Sequence, residues 1–201
     1  MSMDENLQKE LLALAAVDRR VRAELAAAGS LGDDYHPRMQ EVHDRNAARL
    51  GQIIAEHGWP GRSLVGEEGS HAAWFILQHA IAQPALQRQG LELLRRAAEQ
   101  GEVAPAQVAY LQDRICFFEG RPQVYGTQYD WDQAGELNPH PVEDPAGVDE
   151  RRRSVGLGTL AENTRRMQES VARSGETPPA DWAAYQEKSL QWARSVGWRQ
   201  G

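Results

Sequence analysis

The fold of this chain is decided by its most apolar stretch, Ala72-Ala73-Trp74-Phe75-Ile76-Leu77-Gln78-His79-Ala80-Ile81. A helix that is apolar on nearly every side is normally buried on every side. Two polar side chains, Gln78 and His79, lie within it, and each would cost roughly 1–3 kcal/mol if buried without a hydrogen-bond partner. The fold must therefore bring polar groups, water or a ligand to this point, which makes His79 the centre of the functional analysis.

Helical periodicity extends in both directions from this stretch. Apolar residues recur every three to four positions in several further segments, and a Gly or Pro bounds most of them. These segments are residues 4–28, 37–58, 84–101, 105–120, 148–155, 159–175 and from Thr177-Pro178 onward. Thr159 and Glu162 match a capping box at the start of one of them. The residues between Gly58 and Gly66 are predicted to form a structured turn instead of a helix.

Two helical stripes predict which polar residues point inward. In residues 4–28 the stripe is predicted to consist of apolar side chains, with Asp18, Arg19 and Arg20 away from it. In residues 37–58, Asn46 shares the spacing of the apolar residues and is predicted to point into the core. Asn46 is either a core residue bonded to a neighbouring backbone group or part of a site.

The character of the sequence changes after Gly120. Residues 123–131 contain strand-forming residues in near alternation, and a turn-like segment follows them, so a short β-hairpin is predicted around residues 122–143. The fold class predicted is mainly α, an antiparallel helical bundle with this one inserted hairpin. We expect residues 1–175 to form a single domain and residues 176–201 to form a C-terminal helix that packs on this domain or on a partner.

Composition limits the classes of function. The chain has 201 residues and a net charge of −7, with 29 acidic and 22 basic residues, which argues against a nucleic-acid partner. Its longest apolar run, about ten residues, is half of what a membrane-spanning helix needs, and its acidic start does not match a secretory signal. The sequence therefore predicts a cytoplasmic protein that contacts neither nucleic acid nor membrane, with a homodimer or protein partner open through the C-terminal helix.

Candidate site residues are polar groups that adjoin apolar core in several predicted elements. His79 titrates near neutral pH and suits general acid or base chemistry, and Asp113 suits a carboxylate that orients it. Arg114 or Arg151 would hold an anionic group. The predicted substrate-binding residues are Asn46, Gln78, Arg114, Gln123, Tyr125, Thr127, Gln128 and Arg151. The structural alternatives are a satisfied core histidine and an internal salt bridge at Asp113-Arg114.

No cofactor and no metal-ligand set is predicted from motifs. The zincin motif His-Glu-x-x-His, the P-loop, G-x-G-x-x-G and G-x-S-x-G are all absent. His71 and His79 lie about a dozen ångströms apart along a helix, which is too far for one ion.

Several short motifs in a fixed order resemble an uncharacterised family of bacterial domains of unknown function. They are Gly58-Trp59-Pro60, Leu64-Val65-Gly66, Gln78-His79-Ala80, Asp113-Arg114, Gln123-x-Tyr125-Gly126-Thr127-Gln128 and Asp149-x-Arg151-Arg152. The resemblance covers roughly residues 40–165. It implies no activity, cofactor or catalytic residue.

Three functions remain open. The first is a small cofactor-free enzyme, a hydrolase or lyase, that uses His79 for acid/base chemistry on a small polar or anionic molecule. The second is a non-catalytic binding module, such as an immunity or adaptor protein, which the acidic charge and six tryptophans would suit. The third is a metal-dependent enzyme using His79 with Asp113 or Glu68.

Overall fold

The computed structural model describes residues 3–30 and 35–200 of the chain. These residues form eight helices and a single two-stranded hairpin, which confirms the prediction of a mainly α fold. The helices are α1 (Glu5–Ala27), α2 (Pro37–His57), α3 (Arg62–His79), α4 (Pro84–Glu99), α5 (Pro105–Glu119), α6 (Val148–Ser154), α7 (Leu160–Ser174) and α8 (Trp182–Ser195). The strands are β1 (Tyr129–Trp131) and β2 (Leu137–Pro139).

The chain divides into two compact units, Met1–Gln107 and Val108–Gly201. The first contains α1 to α4, and the second contains most of α5, the hairpin and α6 to α8. The expected division into residues 1–175 and 176–201 stays a prediction.

In the first unit, α1, α2 and α3 pack against one another around buried aliphatic side chains such as Leu11, Leu50 and Ile76. The fourth helix joins through Gln87, whose buried amide donates hydrogen bonds to the backbone carbonyls of Leu77 and Gln78 at 2.8 and 3.1 Å. These bonds satisfy carbonyls in the last turn of α3, where no helical partner follows. The apolar stretch that ends at His79 is thus fixed at its C-terminal end.

Two expectations about the first unit are wrong. The segment after Gly58 is not all turn, because α3 begins at Arg62; only Gly66, with φ of 71°, interrupts its helical geometry. Asp18 does not lie away from the apolar stripe of α1, because it is fully buried between Ala15 and Val21 along the helix. Its spacing of three residues from each of these neighbours places it on the same face.

In the second unit, the hairpin pairs Tyr129 with Pro139 and Trp131 with Leu137 in antiparallel register. The predicted strand over residues 123–131 is shorter than expected, because residues 123–128 form a loop with a single bridge from Gln123 to Val142. Gly126 in this loop has φ of 67°, a left-handed conformation that side-chain-bearing residues seldom adopt.

The last two long helices begin at side-chain caps. The capping box predicted at Thr159 and Glu162 is present at the start of α7. The last helix begins at Trp182, later than the predicted Thr177-Pro178, because Asp181 caps it by accepting a hydrogen bond from the Ala184 amide. Trp182 Nε1 donates to the Trp131 carbonyl at 2.9 Å, so α8 contacts the hairpin.

Within the described residues, no helix is both long and apolar enough to cross a membrane.

Candidate functional site

A buried cluster of one carboxylate and two imidazoles lies where the first three helices meet. Asp18 comes from α1, His43 from α2 and His79 from the last turn of α3. The Asp18 side chain is 1% exposed, while those of His43 and His79 are 10% and 24% exposed. The cluster is therefore enclosed on the Asp18 side and reached by solvent at His79.

One oxygen of Asp18 serves both rings. Oδ2 lies 2.8 Å from Nδ1 of His79, in a hydrogen bond, and 3.1 Å from Nε2 of His43. The second oxygen, Oδ1, is buried and has no hydrogen-bond partner, and Nε2 of His43 makes no aligned hydrogen bond despite its short distance. A buried carboxylate normally uses both oxygens as hydrogen-bond acceptors, so the cluster has unused acceptor capacity at Asp18.

Tyr35 completes the cluster from the other side of His43. Its hydroxyl lies 2.6 Å from Nδ1 of His43, and the two rings stack with their centroids 5.6 Å apart. Tyr35 also packs against the buried group formed by Val21, Leu25, Met39 and Val42. Burial raises the pKa of Tyr35, with smaller contributions from nearby carboxylates, so its hydroxyl stays neutral and fixes the orientation of the ring.

Opposing effects act on the pKa of Asp18. Burial raises it by disfavouring the charged form, and the contacts with His43 and His79 lower it by more, so the pKa lies below its usual value. Asp18 is thus an ionised carboxylate inside the fold at neutral pH.

An aromatic ring packs against His79, and a cationic group lies over that ring. The Phe75 ring lies 4.1 Å from the His79 ring, centroid to centroid, and the Arg19 guanidinium lies 4.5 Å above the Phe75 ring. The His43 and His79 rings are 5.0 Å apart. Aromatic rings thus pack beside the His79 ring, which is still 24% exposed.

This arrangement suits two kinds of chemistry. A carboxylate bonded to one imidazole nitrogen orients that ring for proton transfer. Alternatively, the donor atoms of Asp18, His43 and His79, which all lie within 4.8 Å of one another, are of the types that bind a divalent transition metal.

A family model described as a family of unknown function, DUF6624, matches residues 5–173. The chain belongs to this family. The DUF6624 match includes all three cluster residues and begins before residue 40, where the resemblance seen in the sequence begins. It ends before α8. No match was found among curated proteins or among solved structures.

Two further predicted site residues lie in the first unit of this DUF6624 chain. Asn46 is 1% exposed, as predicted, and its Nδ2 donates to the backbone carbonyl of Leu14 at 3.1 Å, which agrees with the core alternative. Gln78 is also buried, at 4% exposure. The carboxylate that contacts His79 is Asp18, and the pairing of His79 with Asp113 stays a prediction.

In the second unit, the predicted residues organise the loop over residues 123–128. The carboxylate of Asp113, fully buried, accepts hydrogen bonds from the amides of Val124, Tyr125 and Thr127 at 2.8 to 3.2 Å. Burial is the main influence on the pKa of Asp113 and raises it, while these backbone donors lower it. The loop is thereby wrapped around one carboxylate.

Gln123 and Gln128 fix the same loop from within. The Gln123 amide donates to the carbonyls of Gln128 and His140 and accepts from the Gln128 amide, at 2.7 to 3.0 Å. The Gln128 side chain donates to the Thr127 hydroxyl at 3.1 Å. These contacts satisfy loop backbone, so the predicted substrate-binding roles of these residues stay predictions.

The two predicted anion-holding arginines, Arg114 and Arg151, are both half-buried. Arg151 donates to the carbonyl of Val124 and to both the carboxylate and the carbonyl of Asp144, at 2.6 to 2.9 Å. Its guanidinium is thus already engaged on both sides. Arg114 is half-buried on α5 beside Asp113.

Sequence reasoning missed Asp18, His43 and Tyr35. A signal existed for the first two, because Asp18 lies three residues before Val21, and His43 lies four after Met39 and three before Asn46. Nothing in the spacing of Tyr35, which precedes α2, connects it to His43.

Proposed function

We propose that this chain is a metal-dependent enzyme, a hydrolase or lyase, in which Asp18, His43 and His79 hold a divalent cation. The observation that carries this proposal is the position of one carboxylate oxygen, 2.8 Å from one imidazole nitrogen and 3.1 Å from another. Metal–ligand bonds of about 2.0–2.2 Å place neighbouring donor atoms roughly 3 Å apart, which matches these distances.

Hydrogen bonding alone accounts poorly for the cluster. Oδ1 of Asp18 has no partner although it is buried, and Nε2 of His43 is close to Oδ2 without hydrogen-bond alignment. One nitrogen of His79 is hydrogen-bonded to Asp18, yet the three candidate ligand atoms all lie within 4.8 Å of one another, close enough to share one cation. A bound cation would use the second carboxylate oxygen and offset the charge of the buried Asp18.

The donor set favours a first-row transition metal. Two imidazoles and one carboxylate are ligands of Zn²⁺ in enzymes and of non-haem Fe²⁺. The contact between Tyr35 and the outer nitrogen of His43 is the kind of support that fixes the tautomer of a ligating histidine.

Three protein ligands point to catalysis more than to a structural ion. Structural zinc sites generally have four protein ligands, whereas catalytic sites keep one position for water. Held by these three residues, a zinc ion would supply a water with a pKa lowered to about 7 and a Lewis acid for a carbonyl or phosphoryl oxygen. The partial exposure of the His79 side chain, 24%, supports access for a small polar or anionic substrate.

The cofactor-free alternative gives the hydrogen bond between Asp18 and His79 a different role. In that scheme Asp18 orients His79, which transfers the proton itself, and His43 has no chemical role. The two schemes differ in their dependence on metal and on His43. The binding-module alternative predicts neither turnover nor metal affinity at this cluster.

The test combines a zinc titration with an activity assay on metal-stripped protein. Chromogenic p-nitrophenyl esters and phosphates serve as substrates, with Zn²⁺, Mn²⁺ or Fe²⁺ restored in turn. We expect zinc to bind with one-to-one stoichiometry, and turnover to require metal. Both should be lost in His43→Gln and kept in His57→Gln, which changes another histidine of the same helix, paired only with Glu56 among the described residues.

Wild-type protein that binds no zinc would contradict the metal scheme whatever the activity assay shows. Metal-independent turnover that survives in His43→Gln but not in His79→Gln would support the cofactor-free alternative instead.

A further inference from the structure

A pocket of about 500 Å³ lies in the second unit, between the end of α6 and the first turns of α7. This volume is in the range of small-molecule sites. Its lining includes the residues Tyr110, Arg152, Thr159, Asn163, Arg165 and Arg166. Three arginines thus line one pocket in a chain whose net charge is −7.

Arg152 is the most unusual of the three. It is only 2% exposed, and all its hydrogen bonds in the structure go to backbone carbonyls. Nε donates to Gly158 at 2.6 Å, and Nη1 donates to Tyr125 and Gly126 at 2.7 and 3.3 Å. Among the described residues no carboxylate lies within ion-pair distance of Arg152, although a buried charge is normally paired with an opposite one.

Arg165 and Arg166 also make no ion pair within residues 3–30 and 35–200, and both are exposed at the pocket. Arg166 donates to the side-chain oxygen of Asn163. A guanidinium without a carboxylate partner keeps several donors available for a bidentate anion.

The two glutamates of the lining direct their hydrogen bond and ion pair to groups other than the three arginines. Glu162 accepts a hydrogen bond from the Thr159 amide in the capping box, and this contact lowers the pKa of Glu162. The Glu169 carboxylate lies 3.9 Å from the guanidinium of Arg173, which is outside the pocket lining. The charge of Arg165 also lowers the pKa of Glu162, but within the described residues neither carboxylate lies within ion-pair distance of the three arginines.

We propose that this pocket binds the anionic group, a carboxylate or a phosphate, of a small molecule, with Arg152 as its buried cation. Arg165 and Arg166 hold the anion from the solvent side, and the Thr159 hydroxyl, which accepts a hydrogen bond from the Glu162 amide, keeps its own hydrogen to donate. This site is independent of the metal cluster, which lies in the first unit, and its failure would leave that proposal unaffected.

The experiment uses inorganic phosphate and succinate as probes, titrated into full-length protein and followed by calorimetry. The protein is metal-stripped and then dialysed free of chelator, because chelators carry carboxylates themselves. Sodium chloride keeps ionic strength constant. We expect saturable binding of at least one probe, weakened about tenfold or more in Arg165→Gln/Arg166→Gln, since each lost charge-assisted hydrogen bond is a large fraction of the affinity.

Arg153→Gln is the matched control, because Arg153 is an exposed neighbour of Arg152 on α6 and lies outside the pocket lining. The affinity of Arg153→Gln for the probe should stay within about twofold of the wild-type affinity, as expected when a screened surface charge is removed. Binding of phosphate alone or of succinate alone identifies the anion that the pocket prefers. Binding of neither probe, or equal affinity in the double variant, overturns the proposal.

Arg152→Lys keeps the positive charge at the buried position but replaces the planar guanidinium with a single ammonium group. It therefore tests whether the anion needs the guanidinium geometry. Its fold is checked by circular dichroism first, since Arg152 also holds three backbone carbonyls. A folded Arg152→Lys protein should bind the preferred probe more weakly than wild type. Because the double variant changes only exposed side chains, the proposal stays testable if Arg152→Lys does not fold.

Discussion

The hydroxyl of Tyr35 lies 2.6 Å from Nδ1 of His43, and the same ring presents its other nitrogen to Asp18 at 3.1 Å. Tyr35 lies in the segment just before α2, and His43 lies within α2. The contact therefore links the start of the helix to a side chain on its buried face. A histidine held in this way has one nitrogen committed to the protein and one directed at the cluster. This fixed orientation is central to the metal scheme, because it assigns Nε2 of His43 as the ligand atom.

Tyr35→Phe should weaken zinc binding while preserving the fold. The substitution removes only the hydroxyl that supports His43, and loss of such outer support typically costs 10–100-fold in metal affinity. Competition with a chromophoric zinc chelator measures the change. Tyr185→Phe removes a tyrosine hydroxyl that contacts Asp130 in the second unit and should leave zinc affinity unaltered. Equal affinities for wild type and Tyr35→Phe would show that His43 needs no such support.

Zinc should raise the melting temperature of the wild-type protein but not of Asp18→Asn. A ligand that binds only the folded state stabilises it by about 2.7 kcal/mol at a hundredfold excess over its Kd. Asparagine keeps the size of the aspartate but removes the charged oxygen that lies between the two imidazoles. Differential scanning fluorimetry with zinc and then with excess chelator measures the effect. A zinc-dependent rise of equal size in Asp18→Asn would place the ion elsewhere.

The contrast between Asp18 and the loop at residues 123–128 shows how far the sequence could predict this structure. Helical periodicity located all eight helices to within a few residues, because burial of apolar faces repeats at short range. The same periodicity places Asp18 on the buried face of α1, but an aspartate was expected to face solvent. Its burial depends on histidines from two other helices, a long-range arrangement that spacing along one helix does not contain.

The loop at residues 123–128 differs from the predicted strand for a similar reason. Its alternating residues have strand character, yet the carboxylate of Asp113 collects amides of Val124, Tyr125 and Thr127 that a strand would otherwise use. A side chain on α5 thus competes with strand pairing. Local propensity predicted a hairpin in this region, and tertiary contacts shortened it to three residues in each strand.

Gly90→Ala should destabilise the first unit. An added Cβ would lie 2.5 and 2.8 Å from the two methyl carbons of Leu77, which is fully buried in the core. Overpacking of this kind typically costs 1–3 kcal/mol. Chemical denaturation measures the change in the free energy of unfolding.

Gly51→Ala is the matched control for Gly90→Ala. It also adds a methyl group within a helix, but nothing lies within 4 Å of the new Cβ. It should stabilise α2 by about 0.5–1 kcal/mol through helix propensity. If Gly90→Ala and Gly51→Ala both stabilise the protein, Gly90 of α4 does not pack closely against Leu77.

Asp130 should make the contact between α8 and the hairpin sensitive to acid. Burial acts to raise the pKa of Asp130, but contacts with His140, the Trp131 amide and the Tyr185 hydroxyl lower it below its ordinary value. A carboxyl group with a lowered pKa in the folded state stabilises that state above its unfolded pKa. This stability is lost as the pH falls through the lower, folded value. Asp130→Asn should therefore be less stable than wild type at neutral pH, and the difference should shrink in acid.

Tryptophan fluorescence measures this effect, because Trp131 and Trp182 are hydrogen-bonded to each other where α8 meets the hairpin. Unfolding curves are compared between neutral pH and pH values below the ordinary carboxyl value of 3.8. Glu187→Gln, an exposed change on the same helix, should show no comparable dependence. A stability difference for Asp130→Asn that stays constant across this range would contradict the assignment.

The most direct test of the metal cluster is anomalous X-ray diffraction at the zinc edge, from crystals of zinc-loaded protein. We expect one strong anomalous peak about 2.0–2.2 Å from the Asp18 carboxylate, Nε2 of His43 and Nδ1 of His79. The same crystals of His43→Gln should lack this peak. Zinc-loaded wild-type crystals with no density between these three side chains, and with Asp18 still bonded directly to His79, would contradict the account.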